Sequence, residues 1–174
     1  MRHVPRIIAV IAAAAVAAGA PALASAANPP AKVGTTLNLS NGSLGALKQG
    51  MSQAKVIGLL GKPDKQASRS LGGKYADLTM SYGRYQLILH FEQGTQGGKP
   101  RLSMIDVRAP QYKTNPKGIS TGASLTQLKS AFGSRLKCFG AGSGITSPFC
   151  TYRSGRGDTL FIVRDKTVTD IQLT

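Results

Sequence analysis

Asp77, His90, Glu92 and Asp106 are the residues of this chain with the widest chemical range. Three carboxylates and an imidazole can hold a divalent cation or pass a proton between them, provided that they converge within coordination or hydrogen-bond reach. They also make up a large share of a small supply, since the chain has 7 Asp and Glu and 2 His. Tyr75 and Arg108 fall in the same segments at positions of the same parity or close to it. The competing expectation is a solvated sheet face with charge-paired neighbours. No nucleophile elbow is present, and GGK at 72–74 and 97–99 lacks phosphate-loop spacing. Arg156-Gly157-Asp158 lies in a Gly-rich turn and reads as turn chemistry. No cofactor motif appears, and neither a cofactor nor a metal site is expected.

Strands must carry these side chains. YADLTMSY (75–82) alternates Ala76, Leu78, Met80 and Tyr82 with Tyr75, Asp77, Thr79 and Ser81, the period of a half-buried strand. After Gly83-Arg84, read as a two-residue hairpin turn, YQLILHFEQ (85–93) puts Leu87, Leu89 and Phe91 opposite Ile88, His90 and Glu92. RLSMIDVRA (101–109) reads as a third strand whose Leu102, Ile105 and Val107 break strict alternation, which predicts a bulge near Ser103 and Met104. If helices cover the Leu87, Leu89 and Phe91 side, then Tyr75, Asp77, His90, Glu92, Asp106 and Arg108 form an open binding face.

The helices are short. Ser52 caps a segment whose Val56, Leu59 and Leu60 share one side and which Gly61 and Pro63 end; SLGALKQ before it can add a helical turn. Ser124 caps a second, with Leu125, Leu128 and Phe132 on one side and Gly133 at its end. Gly50 matches Gly122, Ser52 matches Ser124, and Leu60 matches Phe132. FCTYR (149–153), TLFIVR (159–164) and TVTDIQL (167–173) then read as three more strands, the last with the same broken alternation at Val168, Ile171 and Leu173. The expected fold is α+β: two tandem repeats, 43–109 and 119–174, of a short helix or helix pair with a three- to four-stranded antiparallel meander, helices on one face of the sheet. Residues 27–42 are expected to be a flexible lead-in and 110–118 a linker.

The compartment follows from the first residues. MRHVPR, the apolar IIAVIAAAAVAAGA and Ala24-Ser25-Ala26 match a signal peptide over 1–26, cleaved near Ala26. Cys138 and Cys150, paired in an oxidising compartment, predict a structural disulfide. The chain carries 22 Lys and Arg, a formal net charge of +15. That excess favours anionic partners through a field that salt screens. It is spread along the chain, with a loose cluster at Lys62, Lys65, Arg69 and Lys74 that suits a polyanion, and no basic arm of the nucleic-acid type.

GMSQAKVIGLLGKPD followed by RLSMIDV resembles the helix-and-sheet unit of the SmpA/OmlA small lipoproteins. Two such units with a cysteine pair resemble the β-lactamase inhibitory protein fold. The resemblance implies a binding module without catalytic residues that uses the open face of a joined sheet. The chain has one cysteine pair, no Trp and no lipidation Cys, so neither β-lactamase inhibition nor outer-membrane assembly is implied. The expected function is a secreted, non-enzymatic module binding an extracellular or envelope protein, or in an inhibitor-like role. The alternatives are a basic envelope component on anionic wall polymer or lipid, and a hydrolase or metal-dependent enzyme built on Asp77, His90 and Glu92.

Overall fold

In this computed structural model, residues 26–71, 75–93, 98–140, 148–155 and 157–174 are described, apart from the side chains of residues 70, 71, 75 and 76. Residues 1–25, where a signal peptide is expected, Lys74 and Arg156 lie outside them. Elements run in the order β1 (Thr36–Asn38), β2 (Ser43–Leu44), β3 (Leu47–Lys48), α1 (Gln53–Leu60), β4 (Lys65–Leu71), β5 (Tyr75–Tyr82), β6 (Leu87–Glu92) and β7 (Arg101–Val107). The order continues with β8 (Lys113–Asn115), α2 (Leu125–Phe132), β9 (Leu136–Phe139), β10 (Phe149–Ser154), β11 (Gly157–Arg164) and β12 (Thr167–Leu173).

The expected α+β fold of two helix-plus-meander repeats is not what forms. The described residues are mostly β: one sheet of eight antiparallel strands in the order β4-β5-β6-β7-β12-β11-β10-β9, a second sheet of four, β3-β2-β1-β8, and two helices of 8 residues each. The difference has a physical origin. β4 and β9 end the large sheet, and neither carries the alternating apolar residues that mark a half-buried strand: Lys65, Gln66, Ala67, Ser68 and Arg69 are all exposed, as are Lys137, Cys138 and Phe139. The segment 65–71, read as part of a basic loop cluster, is therefore an edge strand.

The lead-in and the linker are also structural. β1 pairs in parallel with β8, Leu37 opposite Thr114, and antiparallel with β2. Val33, Leu37, Leu39, Leu44 and Leu47 are fully buried. SLGALKQ makes the two short strands β2 and β3 rather than a helical turn. A tight approach holds this layer: Gly45 has φ +52°, and a Cβ there would collide with the Val33 carbonyl. The layer also touches the far end of the large sheet, where a Cβ on Gly155 would lie 2.6 Å from the Ser40 carbonyl oxygen.

Both helices form where capping chemistry places them. Ser52 accepts from the Lys55 N–H, while Ser124 and Gln127 make a reciprocal capping box at 3.1 and 2.8 Å. Gly61 and Gly133 end them at positive φ. At 8 residues neither is stable alone, so each depends on what it covers. Phe132 of α2 packs on Tyr152 and Phe161, with ring centroids 4.5 and 5.4 Å away. At the end of α1 the Tyr82 hydroxyl donates to the Gly61 carbonyl at 3.1 Å and Arg84 donates to that of Leu60 at 3.2 Å. The β5–β6 connection is a single 3-10 turn, Gly83–Tyr85, with Gln86 left-handed at φ +51°, and not the expected two-residue turn.

One apolar cluster unites the helices, the small sheet and one face of the large sheet, including Met80, Leu89, Phe91, Ile105, Phe161 and Ile171. Among the described residues no helix is long and apolar enough to cross a membrane. If the lead-in is part of this core, Leu37→Ala should cost about 3 kcal/mol of unfolding free energy in a urea titration. A loss near zero would return the segment to a mobile tail.

Candidate functional site on the uncovered sheet face

Among the described residues, the other face of the large sheet carries neither helix nor second sheet. Strand register lays its side chains out in rows. Arg69, Asp77, Glu92 and Arg101 face one another across β4 to β7, so two carboxylates sit between two guanidinium groups. In the next row Thr79, His90 and Met104 are neighbours, with His90 Nδ1 3.4 Å from Thr79 Oγ1. A third row runs Ile88, Asp106, Gln172, Leu160, Thr151 and Lys137. In the fourth, Asp170, Ile162, Phe149 and Phe139 lie side by side.

Two bulges decide which residues reach this face. Register shifts opposite His90/Phe91 and opposite Ile162/Val163 leave one unpaired residue in each long strand, Ser103 in β7 and Thr169 in β12. Strict alternation from Leu102 would send Asp106 into the core, and alternation from Val168 would do the same to Asp170. The extra residue inverts the parity, so Ile105 and Ile171 turn inward and both aspartates turn outward. The irregularity near Ser103 is legible in the sequence, and the structure contains it.

Asp106 and Asp170 come from strands that pair directly, and Arg108 spans them. Its Nη2 lies 3.1 Å from Asp106 Oδ2 and its Nε 2.8 Å from Asp170 Oδ1. The carboxylate side chains are 2 % and 12 % exposed, against 50 % for the arginine. The second Asp106 oxygen, Oδ1, is buried without a hydrogen-bond partner among the described residues. Burial therefore pushes the Asp106 carboxyl up from its ordinary range, and Arg108 pulls it back. His90 is half-buried, and that burial holds its imidazole below the ordinary histidine value, with the Asp106 carboxylate acting in the opposite sense.

The expected residues are thus only partly brought together. Asp77, His90, Glu92, Asp106 and Arg108 share the face, whereas the Tyr75 side chain lies outside the described residues. Asp77 and Glu92 face each other one row from His90, and Asp106 is taken by Arg108. Among the described residues no group of three His, Cys, Asp or Glu is placed to hold a metal ion. Lys62 lies in the turn before β4 and Lys65 and Arg69 along it, exposed, so they follow an edge and do not cluster in a loop. Cys138 and Cys150 form the expected disulfide and pair across β9 and β10.

Sequence reasoning missed Asp170, which sits among alternating Thr and Val residues, and it found no aromatic anchors. Phe139 and Phe149 are an aromatic pair that it passed over. Their rings stack at 5.0 Å on this face, and Phe139 is 43 % exposed. The available signal was that Phe149 alternates with Cys150, so that an inward half-cystine turns the phenylalanine outward.

No family model matches the chain and no curated protein matches it, so the resemblance to the SmpA/OmlA lipoproteins and the β-lactamase inhibitory protein fold gains no support. A solved structure similar to it is that of a DUF4309 family protein, YjgB, from Bacillus subtilis, at 14% identity over 71% of this chain and 77% of that one, with a TM-score of 0.46.

The charge arrangement gives a pH-dependent expectation. Because the folded Asp106 pKa is raised, its contribution to stability is fully present below the ordinary carboxylate pKa and is lost as pH rises through the folded value. Arg108→Met removes the cation that limits this loss. The variant should be about 2 kcal/mol less stable near neutral pH, with the deficit shrinking as acid protonates the Asp106 carboxyl. Urea titrations from pH 4 to pH 7 check this; a deficit independent of pH would contradict it.

Proposed function

We propose that the chain is a secreted, non-enzymatic binding module that engages a protein partner on the uncovered face of the eight-stranded sheet. The observation that carries this reading is the asymmetry of that sheet. One face is closed by the core, while the other leaves Ile88, Met104, Leu160, Ile162 and Phe149 half-buried in open rows around a fixed ion pair. Apolar side chains interspersed with paired charges on a rigid, bulge-registered surface suit a protein interface, where anchors supply energy and fixed charges supply register. The Cys138–Cys150 disulfide supports an oxidising destination, as do the signal-like residues 1–26. The engaged acids, with Asp106 held by Arg108, support a binding role over an acid-base one.

A second reading has its own support. The +15 charge, with Lys65 and Arg69 exposed along the edge strand β4, suits an envelope component held on anionic wall polymer or lipid.

One experiment separates them. The purified chain is immobilised and challenged with the extracellular and envelope fractions of its producer, beside two variants: Leu160→Glu on the open face, and Lys65→Glu with Arg69→Glu on the edge strand. The protein-binding reading expects a defined protein retained at physiological salt, lost at least tenfold with Leu160→Glu and little changed by the edge variant. Retention of polymer or lipid that vanishes with added salt and with the edge variant, but not with Leu160→Glu, would overturn it.

A further inference from the structure

At the β9–β10–β11 corner of the open face, apolar and cationic groups converge on one concavity of ≈ 400 Å³. Its floor is the stacked Phe139–Phe149 pair, continued across β11 by Ile162. Among the described residues Phe139 is the large hydrophobic side chain that stands exposed. Arg135, Lys137 and Arg153 stand around it. Asp158 is the carboxylate at this corner, and Arg153 holds it through two hydrogen bonds at 2.7 and 2.8 Å. Lys137 and Arg135 therefore face the concavity without a carboxylate partner among the described residues. Arg135 is positioned by the Arg153 carbonyl at 3.3 Å and by the Tyr152 ring, 5.0 Å from its guanidinium carbon.

Resting on the open-face reading above, we propose that this corner is the anchor point, and that its occupant is an acidic protein segment inserting one aromatic side chain against Phe139 and Phe149, with flanking carboxylates on Lys137 and Arg135. Three observations select that chemistry. The ring pair offers an edge on which a third ring can stack in offset or tilted geometry. The surplus cations at the rim need anions, and in a chain of +15 they repel a second copy of itself. Finally, the neighbouring acids are silent: Asp170 is committed to Arg108 and Asp158 to Arg153, so among the described residues no free negative charge near the corner would repel an acidic segment.

The test uses the full chain without its signal-like segment, isotope-labelled, and three synthetic twelve-residue peptides. One carries a central Phe flanked by Glu and Asp, one replaces that Phe by Ala, and one replaces the acids by Lys. Titration followed by backbone and ring chemical shifts should give saturable binding of the first peptide, with the largest shifts at Phe139, Phe149 and Lys137. The Ala and Lys peptides should bind at least tenfold more weakly. Phe139→Ser, compared at a temperature where its melting curve shows it folded, should weaken the first peptide at least tenfold, and Lys137→Glu should do the same.

Shifts centred on Ile88, His90 and Met104 would overturn the corner as anchor while leaving the open-face reading in place. Equal binding of the Phe and Ala peptides, or equal affinity for vesicles with anionic headgroups before and after Phe139→Ser, would overturn it in favour of a charge-only polyanion contact.

Discussion

Pairing between β7 and β12 is the constraint on which the rest of the molecule depends. Three residue pairs, Val107 with Ile171, Asp106 with Gln172 and Ile105 with Leu173, join the strand that closes the first run of four to the strand that closes the second. Without that seam each run would be a small sheet with an additional raw edge and half the core. With it, one continuous surface spans eight strands, and among the described residues its edges are β4 and β9. The seam is also where charge is buried. Asp106 and Asp170 lie on either side of it, and Arg108 makes their proximity tolerable.

The bulges explain how an apolar seam and a charged one coexist. A regular strand through Leu102 or Val168 would bury an aspartate in the core, at a desolvation cost that no partner there offsets. One inserted residue per strand shifts each aspartate to the far side, and the apolar neighbours Ile105 and Ile171 take the inward positions. Covered and uncovered faces therefore acquire their different characters from the same two residues, Ser103 and Thr169. The uncovered face then divides. Toward β4 it is charged and polar, with Asp77 and Glu92 between Arg69 and Arg101; toward β9 it is apolar and cationic, with Phe149 and Phe139 beside Lys137.

What the sequence made legible follows from how strongly each element is patterned. Leu87, Leu89 and Phe91 alternate cleanly because β6 is central and half its side chains are buried. The serine caps and terminating glycines of α1 and α2 are local signals and were readable as such. The edge strands were not, because a strand exposed along its length has no apolar period to detect, and the basic residues that protect an edge read as a loop. Strands of two and three residues, such as β2 and β1, are shorter than any period. At the site, Asp106 and Arg108 were found by parity once the bulge was recognised. Asp170 was not, because its role exists only through the seam, a contact between residues far apart in sequence. The unpatterned edge strands β4 and β9 and the short strands of the second sheet turned an expected pair of α+β units into a mostly β molecule.

Hydrogen exchange under native conditions, followed across a urea series, tests the seam most directly. If β7–β12 pairing holds the molecule together, the slowest amides of Ile105 to Val107 and Ile171 to Leu173 should exchange only through global unfolding, at the same free energy as those of Leu89 and Phe161. Seam amides that open at a distinctly lower free energy, while both central strands stay protected, would contradict this account.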